Sequence, residues 1–319
     1  MGTNGKVYKY VPIYLSMVYH EIRRVNRKKQ NYLVYNKREK GKWVKKSKFI
    51  GKGDILKSKI SQLKKEFEKE LIVNKKYKYL NIEQIKDIEN LKQIYSDKIR
   101  KFSKEEFEKF EEAFFTELTY NSNAIEGNSL SLEETSLVVN ENLVPEGKTL
   151  REIYEAKNHA KALEFLKEYK GDLNEELILK LHSIILKDVS ERFAGKYRKI
   201  SVRIAGSDIK LPSPEKIPQL VRNLIYWYKK NKNNYHQFEL AILISMKFVT
   251  IHPFIDGNGR VSRLLMNFLL NKNKYPWINI YNKYRQRYLQ AVRKANDEDY
   301  LLIFPFLIEI LKENIKELY

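Results

Sequence analysis

The pattern of apolar and polar positions divides the chain into a short β-type segment and a long helical one. Tyr, Val and Ile are dense over Tyr8–Tyr19 and Tyr32–Tyr35, and Lys42–Ile50 is a further strand-like run between glycines. Such runs, separated by turn residues, predict a small β-meander. From Lys57 onward, apolar residues recur every three or four positions, which predicts helices.

Three capping boxes mark where helices begin. Ser103, Ser131 and Thr149 are each followed three residues later by Glu, and this spacing satisfies the free N–H groups of a first helical turn. With the apolar periodicity they predict helices at about 104–126, 132–140, 150–169, 174–187, 215–230, 235–251, 259–271, 284–296 and 298–315. An alternating run before Pro212 predicts a β-hairpin flap at about 198–212.

These elements predict a mainly α protein, a helical bundle with a β-hairpin flap, preceded by a small basic β-rich segment. The expected division is a β-rich segment at 1–56, a helical connector at 57–102 and a catalytic core at 103–319.

The charge changes this picture because it is concentrated at one end. The whole chain carries a net charge of +21, and its first sixty residues hold 17 Lys and Arg against 3 acidic residues. This excess predicts a platform for RNA, DNA or an acidic protein. A basic surface that is simply solvated is the alternative, and the sequence leaves both open.

Several classes of protein are excluded by missing residues. The chain has no Cys, which rules out disulfide scaffolds, thiolate zinc sites and Cys nucleophiles. It has no phosphate-binding P-loop and no G-x-S-x-G elbow. Signal-peptide and membrane-spanning patterns are also missing, so we expect a cytoplasmic protein without a membrane partner. Four histidines show no metal-ligand spacing and are expected to be structural or surface residues: His20, His159, His182 and His236.

The string from His252 to Arg260, followed by Arg263, carries the candidate chemistry. Its Gly-Asn-Gly turn precedes a helix, whose free N–H groups and dipole favour an anion. Arg260 and Arg263 share one helical face and suit a polyphosphate. Asp256 is a hard oxygen ligand that could hold Mg²⁺ between phosphates, and His252 is a titratable group of a type whose unperturbed pKa is near neutral. Together these groups indicate transfer of a phosphorus-centred group.

This string resembles the signature of the Fic (Fido) family, H-x-F-x-[DE]-G-N-G-R-x-x-R, at every specified position. The resemblance covers about residues 104–315. It implies a mostly helical fold and transfer of AMP from ATP to a Tyr, Ser or Thr hydroxyl of a target protein. Relatives that phosphorylate instead carry Lys where this chain has Gly259, which favours AMP transfer.

The resemblance also implies roles for the signature residues. His252 would deprotonate the target hydroxyl, Phe254 would fix the loop in the core, and Asp256 would hold Mg²⁺ on the α- and β-phosphates of ATP. The remaining nucleotide contacts would come from Gly257, Asn258, Gly259, Arg260 and Arg263, with Arg263 reaching the γ-phosphate.

Two further groups follow from the same resemblance. The flap stretch Ser207–Leu211, with Ser207, Ile209 and Lys210, would align the target by strand addition. Tyr288 and Asn296 fall where the family lines its adenine pocket, although plain helix positions are the alternative for both.

Upstream, the stretch from Ser122 to Asn128 ends a helix and resembles the family's inhibitory motif, [S/T]-x-x-x-E-[G/N]. A Glu at a helix C-terminus faces an unfavourable dipole and needs a cationic partner. The resemblance implies that Glu126 pairs with Arg263 and keeps it from ATP, with Ser122 steadying the helix. We therefore expect an auto-inhibited enzyme.

The sequence is compatible with three hypotheses about the function. The first is a protein adenylyltransferase that uses ATP and Mg²⁺. The second is a hydrolase that removes AMP with the help of Glu126. The third is a nucleic-acid-binding regulator whose Fic-like core senses a ligand. The expected partners are ATP, a target protein, an acidic or nucleic-acid partner for residues 1–60, and a second copy in a homodimer.

Overall fold

The computed structural model of the chain describes residues 18–25, 28–39, 42–73, 78–203 and 209–317. The chain forms two compact units, divided between Lys75 and Lys76.

The first unit contains a three-stranded antiparallel sheet and one helix. Strands β1 (Val18–Val25), β2 (Lys28–Glu39) and β3 (Lys42–Lys52) pair in chain order, which confirms the predicted meander. The predicted first strand reaches the described residues only at Val18, and 8–17 lie outside them. Helix α1 (Lys57–Val73) packs on the sheet.

A small core joins this helix to the sheet. It consists of Val18, Leu33 and Phe67, with partly buried apolar side chains around them. The compact unit thus includes α1 as well as the β-rich segment.

The second unit is helical. Its helices, in chain order, are α2 (Ile82–Ile99), α3 (Lys104–Ile125), α4 (Leu132–Asn140), α5 (Leu150–Glu168), α6 (Glu175–Ile185), α7 (Ile217–Asn231), α8 (Gln237–Ile251), α9 (Asn258–Lys272), α10 (Arg285–Asn296) and α11 (Ile303–Lys316). None of the described helices is long and apolar enough to cross a membrane.

The predicted capping boxes start three of these helices. Ser103, Ser131 and Thr149 each accept a hydrogen bond from the backbone of the Glu three residues on. The sequence reasoning missed a fourth box, in which Asn81 and Gln84 cap α2. It also began the last helix five residues early, because an Asp299 side-chain turn and the positive φ of Glu298 (59°) delay the start of α11.

Helices α8 and α9 form the centre of the second unit and carry the signature loop between them. Eleven residues of α8 and twelve of α9 are buried. A helix that is apolar on all sides belongs inside a protein. Where the two helices touch, the hydroxyls of Ser245 and Ser262 are hydrogen-bonded at 2.7 Å in the core. This packing fixes both ends of the loop.

The predicted flap has no strand in its described parts, 198–203 and 209–213. One buried guanidinium joins the two legs instead of a ladder of backbone hydrogen bonds. Arg198, 2% exposed, donates to the carbonyls of Ile200 at 3.1 Å and Pro212 at 2.6 Å. Residues 204–208, which include Ser207, lie outside the described chain.

Candidate active site

The signature loop reverses the chain between α8 and α9 by using two left-handed residues. His252 ends α8 with φ +49°, and Gly257 precedes α9 with φ +77°. A non-glycine residue with positive φ is uncommon and persists only when its surroundings hold it. Phe254, between the two, is completely buried, as expected.

Asn258 holds the loop closed from inside. Its amide oxygen accepts from the Phe254 N–H at 3.0 Å, and its amide nitrogen donates to the Phe254 carbonyl at 2.9 Å. The side chain, for which a phosphate contact was predicted, is therefore engaged with the loop in this structure.

His182, on α6, supports the same loop and was missed as a site residue. Its ring stacks on Phe254, with ring centroids 3.6 Å apart. Its Nδ1 accepts from the Gly195 N–H at 3.0 Å, so Nε2 carries the proton and donates to the Asp256 carbonyl at 3.1 Å. Burial lowers the pKa of His182 to about 4, which keeps this neutral tautomer at physiological pH.

His252 is held as a neutral imidazole. Burial lowers its pKa to about 4, although the Val249 backbone favours the charged form. Its carbonyl accepts from Arg198 Nε at 2.8 Å, so Arg198 fixes the backbone of this residue as well as the legs of the flap. A neutral ring at pH 7 can accept a proton, as a general base must.

Asp256 lies at the mouth of the site with its side chain 38% exposed. One oxygen accepts from Arg151 at 2.6 Å, and the other contacts Arg260 at 3.2 Å and accepts from the Gly257 N–H at 2.6 Å. Burial alone would raise the pKa of Asp256, but the Arg260 guanidinium and these other contacts outweigh it and lower the pKa. The carboxylate is therefore ionised and accessible.

Arg260 is only 2% exposed. One guanidinium nitrogen lies 3.2 Å from Asp256 and another lies 3.2 Å from Glu155 on α5. Its Nε has no hydrogen-bond partner among the described residues. An unpaired buried donor costs about 1–3 kcal/mol, and the ion pairs with Asp256 and Glu155 hold the guanidinium in this position.

Arg263 is bound by α3 in the way that the sequence predicted. Its NH2 lies 2.8 Å from Glu126 Oε1 and 2.8 Å from the Ser122 carbonyl, and its Nε donates to the Ser122 hydroxyl at 3.1 Å. The guanidinium is buried, with only 5% of the side chain exposed. All three contacts come from the C-terminal end of α3.

The Glu126 carboxylate also lies against the first turn of α9. A Cβ added to Gly259 would be 2.2 Å from Glu126 Oε1 and 3.0 Å from its carboxyl carbon. The first turn of α9 contains no acidic residue, and its N–H groups have no intrahelical acceptors. The negative charge of Glu126 thus lies at the N-terminus of α9, where the helix dipole and the free N–H groups favour an anion.

Residues distant in sequence hold the end of α3 in this position. The last turn of α3 has no basic residue, and Arg285 of α10 supplies the missing cation by donating to the Ile125 carbonyl at 2.7 Å. Asn121 accepts from the Asn282 N–H at 2.8 Å. The Arg285 contact satisfies one of the C-terminal carbonyls that a helix leaves open, and the Asn121 side chain ties α3 to the backbone at Asn282.

The predicted adenine-pocket residues differ in their surroundings. Tyr288 is buried, and its ring centroid lies 5.8 Å from the Arg263 guanidinium carbon. Asn296 donates to the Val292 carbonyl one turn back at 3.1 Å. Of the flap residues, Ile209 is half-buried and Lys210 is exposed.

The other histidines take structural positions. His20 is hydrogen-bonded to Asn31 at 2.9 Å, His159 to Thr119 at 3.1 Å, and His236 to Glu89 at 3.0 Å. Among the residues that the structure describes, no three acidic or histidine side chains cluster as metal ligands. Asp256 is the carboxylate at the mouth of the site that was predicted to be a metal ligand.

Part of the chain, including the signature loop, is similar to known proteins. Residues 172–270, which include the signature loop, match the family model described as "Fic/DOC family". This segment is similar to a Fic/DOC-family domain. The protein adenylyltransferase Fic of Drosophila grimshawi is 34% identical over 200 residues, 61% of this chain. Its Drosophila melanogaster counterpart is 32% identical over the same share. The chain spans about 40% of the length of these curated relatives.

Solved structures show the same Fic fold. A Fic domain containing signaling protein from Bacteroides thetaiotaomicron matches with a TM-score of 0.65 and 29% identity, over 72% of this chain and 95% of that one. Fic-1 from C. elegans matches with a TM-score of 0.66 and 22% identity, over 83% and 77%. Both likenesses extend well beyond residues 172–270.

Proposed function

We propose that this protein transfers AMP from ATP to a hydroxyl of a target protein. The observation that carries the proposal is the intact Fic signature, folded around the N-terminus of α9. A neutral imidazole, a phosphate-binding turn and two buried guanidinium groups converge there. Drosophila relatives called protein adenylyltransferase support the same chemistry.

The reaction divides among the residues of this site. His252 accepts the proton of the target hydroxyl as the oxygen attacks the α-phosphorus of ATP. A new oxygen–phosphorus bond forms, the bond to the β-phosphate bridging oxygen breaks, and pyrophosphate leaves with the electron pair. The first-turn N–H groups of α9 and the Arg260 guanidinium stabilise the charge on the phosphate oxygens.

Asp256 is the residue that would hold Mg²⁺. Its ionised, accessible carboxylate is the donor that Mg²⁺ takes in sites with one or two carboxylates and substrate phosphates. The ion would supply charge neutralisation on the phosphates. Mg²⁺ and ATP fit a cytoplasmic setting, which we include in the proposal.

We propose that Glu126 inhibits this reaction. It pairs with Arg263, which would otherwise be available to the γ-phosphate. Its carboxylate also lies against Gly259 in the first turn of α9, where phosphate is expected to bind. Both effects oppose productive binding of the triphosphate.

The position of Glu126 inside the site also favours a second candidate, the removal of AMP. A carboxylate there could orient a water molecule toward the phosphorus of an AMP-modified target. This candidate predicts that AMP-modified protein, freed of ATP, loses AMP faster with Glu126 than with the Glu126→Gly variant. Equal rates would exclude it.

The reaction type is tested with two radioactive forms of ATP. AMP transfer predicts that target protein, or the chain itself, is labelled from [α-³²P]ATP and not from [γ-³²P]ATP. His252→Ala should abolish the labelling, while His236→Ala, at the opposite end of α8 and in a structural contact with Glu89, serves as the control. Label from the γ-phosphate would show phosphorylation and contradict the proposal.

A further inference from the structure

One face of the N-terminal sheet exposes aromatic rings. Tyr32 of β2 stands opposite Phe49 of β3 and opposite Glu21 of β1, and Tyr19 is two residues before Glu21. Because alternate residues of a strand share a face, all these side chains lie on one side of the sheet. Phe49 is 47% exposed and Tyr19 is 38% exposed. Helix α1 packs against residues of the other side.

Cations stand among these rings. The guanidinium of Arg23 lies 4.1 Å from the centre of the Tyr32 ring, and Lys45 is on the same side because it pairs with Asn36, four residues beyond Tyr32. We call the surface formed by Tyr19, Arg23, Tyr32, Lys45 and Phe49 the open face.

A single carboxylate holds both cations. Glu21 accepts from Arg23 at 2.7 Å and from Lys45 at 2.9 Å. The Glu21–Lys45 pair reaches across the central strand, where Val34 is buried. Side-chain exposures of 34% for Arg23 and 50% for Lys45 leave both cations accessible to solvent, so a phosphate could replace the carboxylate.

The combination of rings and cations identifies the chemistry of the partner. Single-stranded nucleic acid is bound by positive charge along its backbone and by aromatic or guanidinium planes on which bases stack. A duplex keeps its bases stacked on each other, and an acidic protein needs the cations but not the rings. The segment's 17 Lys and Arg against 3 acidic residues supply the long-range attraction.

We propose that the open face binds single-stranded nucleic acid. Bases stack on Phe49 and on the Arg23–Tyr32 pair, and Lys45 contacts phosphate after leaving Glu21. This inference uses residues outside the Fic-type site and does not depend on AMP transfer.

The test uses the full chain and neighbouring lysines that lie on opposite faces of β3. Fluorescence anisotropy with labelled 12-mers of oligo(U), oligo(dT) and duplex DNA is measured over a range of salt concentrations. Lys45→Ala should reduce the slope of log K against log [salt] by about 0.7, which corresponds to one phosphate contact on a single strand. Lys46→Ala, which removes the same charge from the other face, should leave that slope unchanged.

The stacking contribution has its own variant. Phe49→Ala should weaken oligo(U) or oligo(dT) binding roughly 5- to 150-fold, the range for loss of one base–aromatic stack, without changing the salt slope. A preference for oligo(U) over oligo(dT) would identify RNA as the source, and the reverse would identify DNA. Circular dichroism confirms that each variant stays folded.

Three results would overturn the proposal. The first is equal loss of binding in Lys45→Ala and Lys46→Ala. The second is no effect of Phe49→Ala in a folded chain. The third is tighter binding of duplex DNA or poly-glutamate than of either single strand, which would point to charge alone.

Discussion

Replacement of Gly259 by Ala should relieve the proposed inhibition while the amino acids at positions 126 and 263 stay Glu and Arg. The new methyl group would lie 2.2 Å from Glu126 Oε1, well inside van der Waals contact. Because the obstructing atom is the end of a flexible side chain, Glu126 swings away and the backbone stays in place. Gly259 lies in the first turn of α9, and Ala is more favourable than Gly in a helix, by up to about 1 kcal/mol in the interior.

The size of the effect follows from the contact that is lost. A hydrogen bond to a charged group contributes about 1.5–3 kcal/mol to stability. The Glu126 side chain is 37% exposed, so solvent screening reduces this to about 1–2 kcal/mol. If the inhibited state predominates, such a loss raises the open fraction, and therefore the initial labelling rate, roughly 5- to 30-fold. The higher helix propensity of Ala at position 259 offsets much of the free energy of unfolding that is lost with the Glu126–Arg263 contact.

The assay is initial-rate self-labelling with [α-³²P]ATP for the wild type, Gly259→Ala, Glu126→Gly and the double variant. Gly259→Ala should stimulate labelling in the wild-type background only. In the Glu126→Gly background, where no carboxylate remains to be displaced, it should add nothing or slow the reaction. Stimulation of similar size in both backgrounds would refute the steric reasoning.

Two further predictions concern acid stability and the metal. Burial lowers the pKa of His159 to about 3 and of His182 and His252 to about 4, whereas unfolded histidines titrate near 6.5. The unfolded chain therefore binds more protons than the folded chain below pH 6.5. In urea titrations, the free energy of unfolding should fall by about 3 kcal/mol between pH 6 and pH 5. A free energy that does not change over this range would contradict the burial of these rings. Arg151→Ala, which removes the exposed partner of Asp256, should lower the Mg²⁺ concentration for half-maximal labelling about 1.5- to 5-fold; an increase would mean that Arg151 aligns Asp256 for the ion.

The sequence predicted what depends on local spacing. The capping boxes at Ser103, Ser131 and Thr149 start helices as expected, since each involves atoms three residues apart. The Glu126–Arg263 pair was also predicted, 137 residues apart. That prediction needed the family motif together with the electrostatic problem of a Glu at a helix C-terminus.

Long-range supports could not be predicted in this way. Arg198 fixes His252 and the flap legs, His182 supports the loop, and Arg285 caps the C-terminus of α3. Each is an ordinary residue on its own element, and its role arises only when the fold brings a distant carbonyl within reach. Arg198 also accounts for how the flap is held, since its guanidinium joins two legs whose described residues form no strand.

The contact of Glu126 with Gly259 was only partly predictable from the sequence. The sequence contained both residues in recognisable motifs, but nothing in it stated that the carboxylate would lie against the first turn of α9. The structure therefore adds a second contact, beside the pairing with Arg263, to the inhibition proposed for Glu126. Glu126 belongs to the C-terminal end of α3, where the helix dipole disfavours a negative charge. Its carboxylate lies at the N-terminus of α9, where the dipole favours that charge.

The central claim is an AMP-transferring site that Glu126 inhibits. Its most direct test is intact-protein mass spectrometry of Glu126→Gly, wild type and Glu126→Gly/His252→Ala after incubation with Mg-ATP. The account predicts that the first variant gains the mass of one or more AMP groups, that the wild type gains far less, and that the double variant gains none. Equal modification of the wild type and Glu126→Gly, or modification that persists without His252, would contradict it.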